Sequence, residues 1–129
     1  MLLDDIAWLI FIRARSSRFP MKCYEPIFGM NILGWLSRRS RLVGIKRADF
    51  YLCTSRCPEN SVIVKQAKAL GHGVLLGPEE FPVRRIIENW KKIERYRYFV
   101  RICGDSPFYS FSAALNAVAK RCLASLIIS

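Results

Sequence analysis

The chain is poor in acids, in histidine and in long apolar runs, and each shortage narrows its function. Ten Asp and Glu stand against 21 Lys and Arg, a net charge of +11 at pH 7. So basic a chain suits anionic partners: nucleic acid, an acidic membrane or a phosphorylated small molecule. Cys53 and Cys57 stand four apart, but a single histidine and the lack of a second pair leave no zinc site. The five cysteines, at 23, 53, 57, 103 and 122, are odd in number and scattered, which reads as reduced structural thiols in a cytoplasmic protein. The apolar run 6–12 is too short to span a bilayer, and Asp4 and Asp5 stand where a signal peptide carries Lys or Arg. No membrane partner is expected. No Pro- or Ser-rich linker and no internal repeat divides the chain, so residues 1–129 read as one domain.

What is present favours a packed α/β fold. Hydrophobic residues make up 52% of the chain, with eight Phe, more than a disordered chain carries. Short apolar runs at 6–13, 49–53, 73–76 and 98–103 read as strands. Between and after them, segments 31–43, 58–70, 83–93 and 112–123 have helical spacing. Within 58–70, for example, Val62, Ile63, Ala67 and Leu70 share one side, and Gly71 marks the stop. Strict alternation of strand and helix predicts a three-layer α/β/α sandwich with a mainly parallel sheet. In such sheets ligands sit beyond the carboxyl ends of the strands. Those ends hold a large share of the chain's Arg, Gly, Ser and Asp.

Two of these connections carry candidate chemistry. The segment 13–22 packs Arg13, Arg15, Arg18 and Lys22 with Ser16 and Ser17 into one loop. A polyphosphate calls for donors from several directions and for offsetting positive charge, although a solvated basic loop has the same composition. The run Val100-Arg101-Ile102-Cys103-Gly104-Asp105-Ser106-Pro107 fixes a carboxylate just past a strand. That suits a Mg²⁺ ligand, and turn chemistry explains the same residues. His72, between two glycines, reads as a turn residue. The mixed-charge stretch 88–97 reads as the solvated face of a helix.

Taken in order, four blocks resemble the sugar cytidylyltransferases, in particular the branch with spore-coat polysaccharide biosynthesis protein F. Acylneuraminate and 3-deoxy-manno-octulosonate cytidylyltransferases are more distant. The blocks are Ala14-Arg15…Ser17-Arg18-Phe19-Pro20-Met21-Lys22, Cys53-Thr54-Ser55, Gly77-Pro78-Glu79-Glu80…Arg85 and the Gly104-Asp105 run, spread over residues 6–110. The resemblance implies a nucleotide-diphospho-sugar transferase-like fold, CTP as donor and a sugar or sugar acid of surface polysaccharide biosynthesis as acceptor. It implies that Lys22, Arg15 and Arg18 hold the triphosphate as the catalytic cations. Ala14, Ser17, Thr54, Ser55 and Arg101 would line the nucleotide, and Asp105 would bind Mg²⁺.

The chain also departs from the pattern. Its loop between Arg15 and Arg18 is shorter and lacks the usual Gly, and Met21 stands where Gly is common. Arg56 replaces an acidic residue, and Phe81 and Arg84 replace Asp. The family's chain continues well past Gly-Asp-Ser-Pro, so the resemblance implies truncation at the C-terminus. Of the ten acids, only Asp105 directly follows a strand in the most specific block, which predicts weak Mg²⁺ binding and negligible turnover. Two other readings stay open. One is a non-catalytic fragment binding nucleotide or a partner chain, completing its sheet in a homo-oligomer. The other is a basic nucleic-acid module, disfavoured because no stacking pattern of aromatics appears.

Overall fold

A computed structural model describes residues 2–15, 20–105 and 107–128, with side chains as far as residue 121. Its strands are β1 (Ile6–Phe11), β2 (Phe50–Ser55), β3 (Gly73–Gly77) and β4 (Tyr98–Cys103). The helices are α1 (Ile32–Leu42), α2 (Ser61–Ala69), α3 (Pro82–Ile87), α4 (Trp90–Ile93) and α5 (Phe111–Ile128). Every strand pairing is parallel and the order is β3-β2-β1-β4. β1 therefore lies inside the sheet. Its Ile-Ala-Trp-Leu-Ile-Phe run is apolar throughout because both faces are covered, as in other parallel sheets.

Alternate residues serve the two layers. Ile6, Trp8 and Ile10 of β1, with Phe50, Leu52 and Ile102, pack against Ile32, Leu33 and Leu36 of α1, Ile63 and Ala67 of α2, and Phe111 of α5. Ala7, Leu9, Tyr51, Cys53 and Leu75 form the opposite face, covered by Ile93, Tyr96 and Ile86. The expected three-layer α/β sandwich is the architecture found.

Local chemistry sets several boundaries. Asn31 caps α1, its side-chain oxygen accepting from the Gly34 N–H at 2.9 Å. Gly71 follows α2 with φ 83°, the left-handed conformation that favours glycine at a helix end. The helix expected over 83–93 is instead two pieces, α3 and α4. Asn89 explains the break: its side-chain amide donates to Arg85 O (2.7 Å) and Leu76 O (2.9 Å), tying the turn to β3. The first strand stops at Phe11, two residues short of the expected end, and α5 runs on to Ile128.

Candidate nucleotide site

After β3 the chain returns to pair β4 with the other side of β1, so strand order reverses at β1. A crevice opens at the carboxyl ends of strands flanking such a switch point. A cleft of about 400 Å³ lies there, lined by residues following β1, β3 and β4. That volume falls within the range of small-molecule sites.

Two glycines let its walls close. Gly104 donates its N–H to Phe11 O at 3.0 Å, joining the ends of β4 and β1. A Cβ there would lie 2.2 Å from Ile12 Cγ1 and 2.8 Å from Phe11 O. At Gly77, a Cβ would lie 2.7 Å from Arg85 Cα, so α3 rests directly on the end of β3. Side chains larger than hydrogen have no room at either place.

Four cations reach the cleft: Arg13, Lys22, Arg85 and Arg101. Arg85 is only 2% exposed, and donates from Nε to Pro78 O (3.2 Å) and from Nη2 to Glu79 O (3.1 Å). Burial lowers its pKa from the usual arginine value, but a guanidinium starts so high that it stays charged. Arg101 reaches back over the Phe11 ring, 4.8 Å from its centroid, with Arg85 6.0 Å from the same centroid. Arg13 pairs with Glu79 at 3.4 Å. Burial pushes the Glu79 carboxyl up, but Ser55 and Cys57 beside it and the charges of Arg13 and Arg85 outweigh that, leaving it below its ordinary value.

The predicted residues separate into three groups. Lys22, Arg101 and Asp105 line the cleft together. Asp105 accepts from the Cys103 thiol at 3.4 Å. Ala14, Thr54 and Ser55 are buried behind it. Ala14 donates its N–H to Asn60 Oδ1 at 2.7 Å, and Asn60 Nδ2 donates to Ser55 Oγ (2.7 Å) and O (3.2 Å). Asn60 thus ties the connection after β1 to the end of β2. Met21 N–H donates to Ala14 O at 2.7 Å, bringing the two ends of the basic loop together and placing Lys22 at the cleft. Arg15 does not line the cleft. A hydrogen bond with Cys57 and the nearby Glu59 charge raise its pKa. Ser17 and Arg18 lie outside the described residues.

The carboxylate count needs correction. Asp105 is not the one acid past a strand end that counts: Glu79 and Glu80, which follow β3, line the cleft with it. The cause is topological: the switch point gathers the connection after β3 as well as the one after β4. Arg85, quoted in the third block without a role, is a cleft cation as well, and Arg13 reaches the cleft as one of the cations of the 13–22 loop. His72 is a buried core residue, its ring between Ser37 Oγ (2.6 Å) and Arg47 O (2.9 Å). Among the described residues no group of three His, Cys, Asp or Glu could hold a metal ion unaided.

The fold is the one found in solved cytidylyltransferases. A cytidylyltransferase from Leptospira borgpetersenii serovar Hardjo-bovis (strain JB197) superposes with a TM-score of 0.79 at 23% identity, over 89% of this chain and 48% of that one. CMP:2-keto-3-deoxy-manno-octonic acid synthetase, solved in complex with CTP, gives a TM-score of 0.69 at 22% identity, over 90% and 46%. The chain spans about half the length of each. No family model and no curated protein matches the sequence.

Proposed function

We propose that this chain binds CTP with Mg²⁺ in the cleft and belongs to cytidylyl-transfer chemistry, with a sugar or sugar acid as acceptor. The observation that carries this reading is the convergence of Arg13, Lys22, Arg85 and Arg101 with Asp105 at the switch point of a cytidylyltransferase fold. Four cations match the charge of a triphosphate, and buried Arg85 is fixed before the ligand arrives.

In this scheme Arg13, Lys22 and Arg85 hold phosphate oxygens, with Arg15 and Arg18 as further cations of the loop. Arg101 faces the nucleoside, with Ala14 and the end of β2 at Thr54 and Ser55 buried behind the cleft, and Ser17 is a further candidate for the nucleoside. Asn60 acts as a positioning residue, because it fixes Ala14 against Ser55. An acceptor oxygen attacks the α-phosphorus, and the bond to the β-phosphate oxygen breaks to release pyrophosphate. The donor set fits Mg²⁺, which takes one or two carboxylates and completes its shell with phosphate oxygens and water. Asp105 would hold it, with Glu79 or Glu80 as a second carboxylate, and it would supply charge neutralisation on the phosphates.

Thermal denaturation with CTP and Mg²⁺, with ATP and Mg²⁺, and with random oligonucleotides tests the reading. The expected result is a rise in Tm with CTP and Mg²⁺ that oligonucleotides do not give. A rise with oligonucleotides alone would overturn it in favour of a nucleic-acid module.

A further inference from the structure

Lys22 reaches the cleft from a single helical turn, Lys22–Tyr24, closed by Tyr24 N–H donating to Met21 O (3.0 Å) and Glu25 N–H to Lys22 O (3.1 Å). So few bonds do not repay the ordering of the residues that make them, so a lone turn needs outside support. The residue that opens it adds to the cost. Met21 has φ 63°, a left-handed conformation that residues other than glycine disfavour and that persists only where neighbours enforce it. Those neighbours are present on every side. Before the turn, Met21 donates its N–H to Ala14 O (2.7 Å), and Ala14 is itself held by Asn60. Within the turn, Cys23 is buried in the core. At its end, the Tyr24 hydroxyl donates to Glu59 O (2.5 Å) and accepts from Ile63 N–H (3.3 Å).

That last contact has a local cause. Ile63 belongs to the first turn of α2, where amides lack partners within the helix. Asn60 stands at the N-cap, yet its side chain makes no cap bond, because it is committed to Ala14 and Ser55. Tyr24 supplies the bond instead, from 39 residues away. Glu59 and Ile63 are four apart, the spacing of an α-helical bond, and the hydroxyl stands between the carbonyl of one and the amide of the other. A phenol in that place is a strut between α2 and the turn that carries Lys22.

We propose that Tyr24 is a positioning residue for the phosphate site: its hydroxyl, seated on the first turn of α2, fixes the turn that presents Lys22 to the cleft. The inference rests on the reading of Lys22 as a phosphate ligand. A lysine ammonium sits on a flexible four-carbon stem, so its binding loses less entropy when the backbone beneath it is already fixed.

Tyr24→Phe keeps the ring and removes only the hydroxyl. Hydrogen exchange reads the strut without any ligand: the Ile63 and Met21 amides should exchange about three- to tenfold faster in the variant, the worth of one hydrogen bond. Calorimetry with inorganic tripolyphosphate and Mg²⁺ reads the site apart from the nucleoside. Tyr24→Phe should weaken that binding by about three- to tenfold in the natural chain and leave it unchanged in Lys22→Ala, because the two residues act through one contact. A merely structural hydroxyl would weaken both chains alike or neither. Equal losses in both, no loss in either, or unchanged exchange at Met21 overturns the proposal. If Lys22→Ala binds tripolyphosphate as tightly as the natural chain, Lys22 is no phosphate ligand and the inference falls with that reading. Coupled losses in a chain with no preference for CTP support the strut and overturn the choice of nucleotide alone.

Discussion

Lys22 and Arg85 bring the same charge to the cleft by different routes. Lys22 is exposed on a single helical turn, so its removal should touch little but the ligand. Lys22→Ala is expected to weaken CTP binding by about 1–3 kcal/mol, the scale of a charged hydrogen bond, with the ligand-free Tm unchanged. Titration calorimetry checks this, and equal affinity would remove Lys22 from the site. Arg85 is locked by the backbone carbonyls of Pro78 and Glu79, so its loss costs stability as well. Gly104 is the residue with least latitude. A methyl group 2.2 Å from Ile12 Cγ1 must move the end of β1 or β4, and Gly104→Ala should cost about 1–3 kcal/mol in urea denaturation, as overpacking does. That tightness was not legible in the sequence, because Gly-Asp-Ser-Pro reads equally well as an ordinary turn.

Between elements, His72 joins α1 to the residues before β2. Its Nδ1–H donates to Arg47 O and its Nε2 accepts from Ser37 Oγ, an assignment that requires the neutral ring. Burial lowers its pKa from 6.5. Below that value the unfolded chain takes up a proton that the folded chain refuses, so stability present at pH 7 is lost as pH falls. Urea midpoints between pH 7 and pH 5 should therefore fall more steeply for the natural chain than for His72→Gln; equal slopes would refute the role. The sequence showed the elements well because strand runs and helical spacing alternate cleanly. It showed their ends less well. Asn89 breaks a helix that Ile86, Trp90 and Ile93 alone would continue, and its bond to Leu76 of β3, which helps it do so, links groups that helical spacing does not connect. Lys22 and Asp105 stood out through the cations of the 13–22 loop and the Gly-Asp turn, and Arg101 through the resemblance alone; all three line the cleft. Glu79 and Arg85 reach the site only through the strand order, which spacing does not reveal.

For the whole molecule, the balance of charge in the cleft bears on the proposed transfer. Asp105, Glu79 and Glu80 are available there, but Glu79 is already paired with Arg13. Incomplete hold on a metal that stabilises transition-state charge costs several kcal/mol. Pyrophosphate release from CTP and Mg²⁺ across a panel of sugars and sugar acids is expected to stay below about 1 s⁻¹, the low end for ordinary enzymes. Faster release would show that the described carboxylates suffice. The four described cysteines are unpaired and no helix among the described residues is long and apolar enough to cross a membrane. Reductant and a zinc chelator should both leave the Tm unchanged, and a chelator-induced drop would reveal a metal site. The strand order has one more consequence, in time rather than in space. β1, β2 and β3 leave the ribosome as a contiguous set, while the second neighbour of β1 is the last of the four described strands to be made. Until Cys103 has emerged, one side of β1 is bare and the cleft has no β4 wall, so the cleft is a later feature than the β1–β2–β3 set.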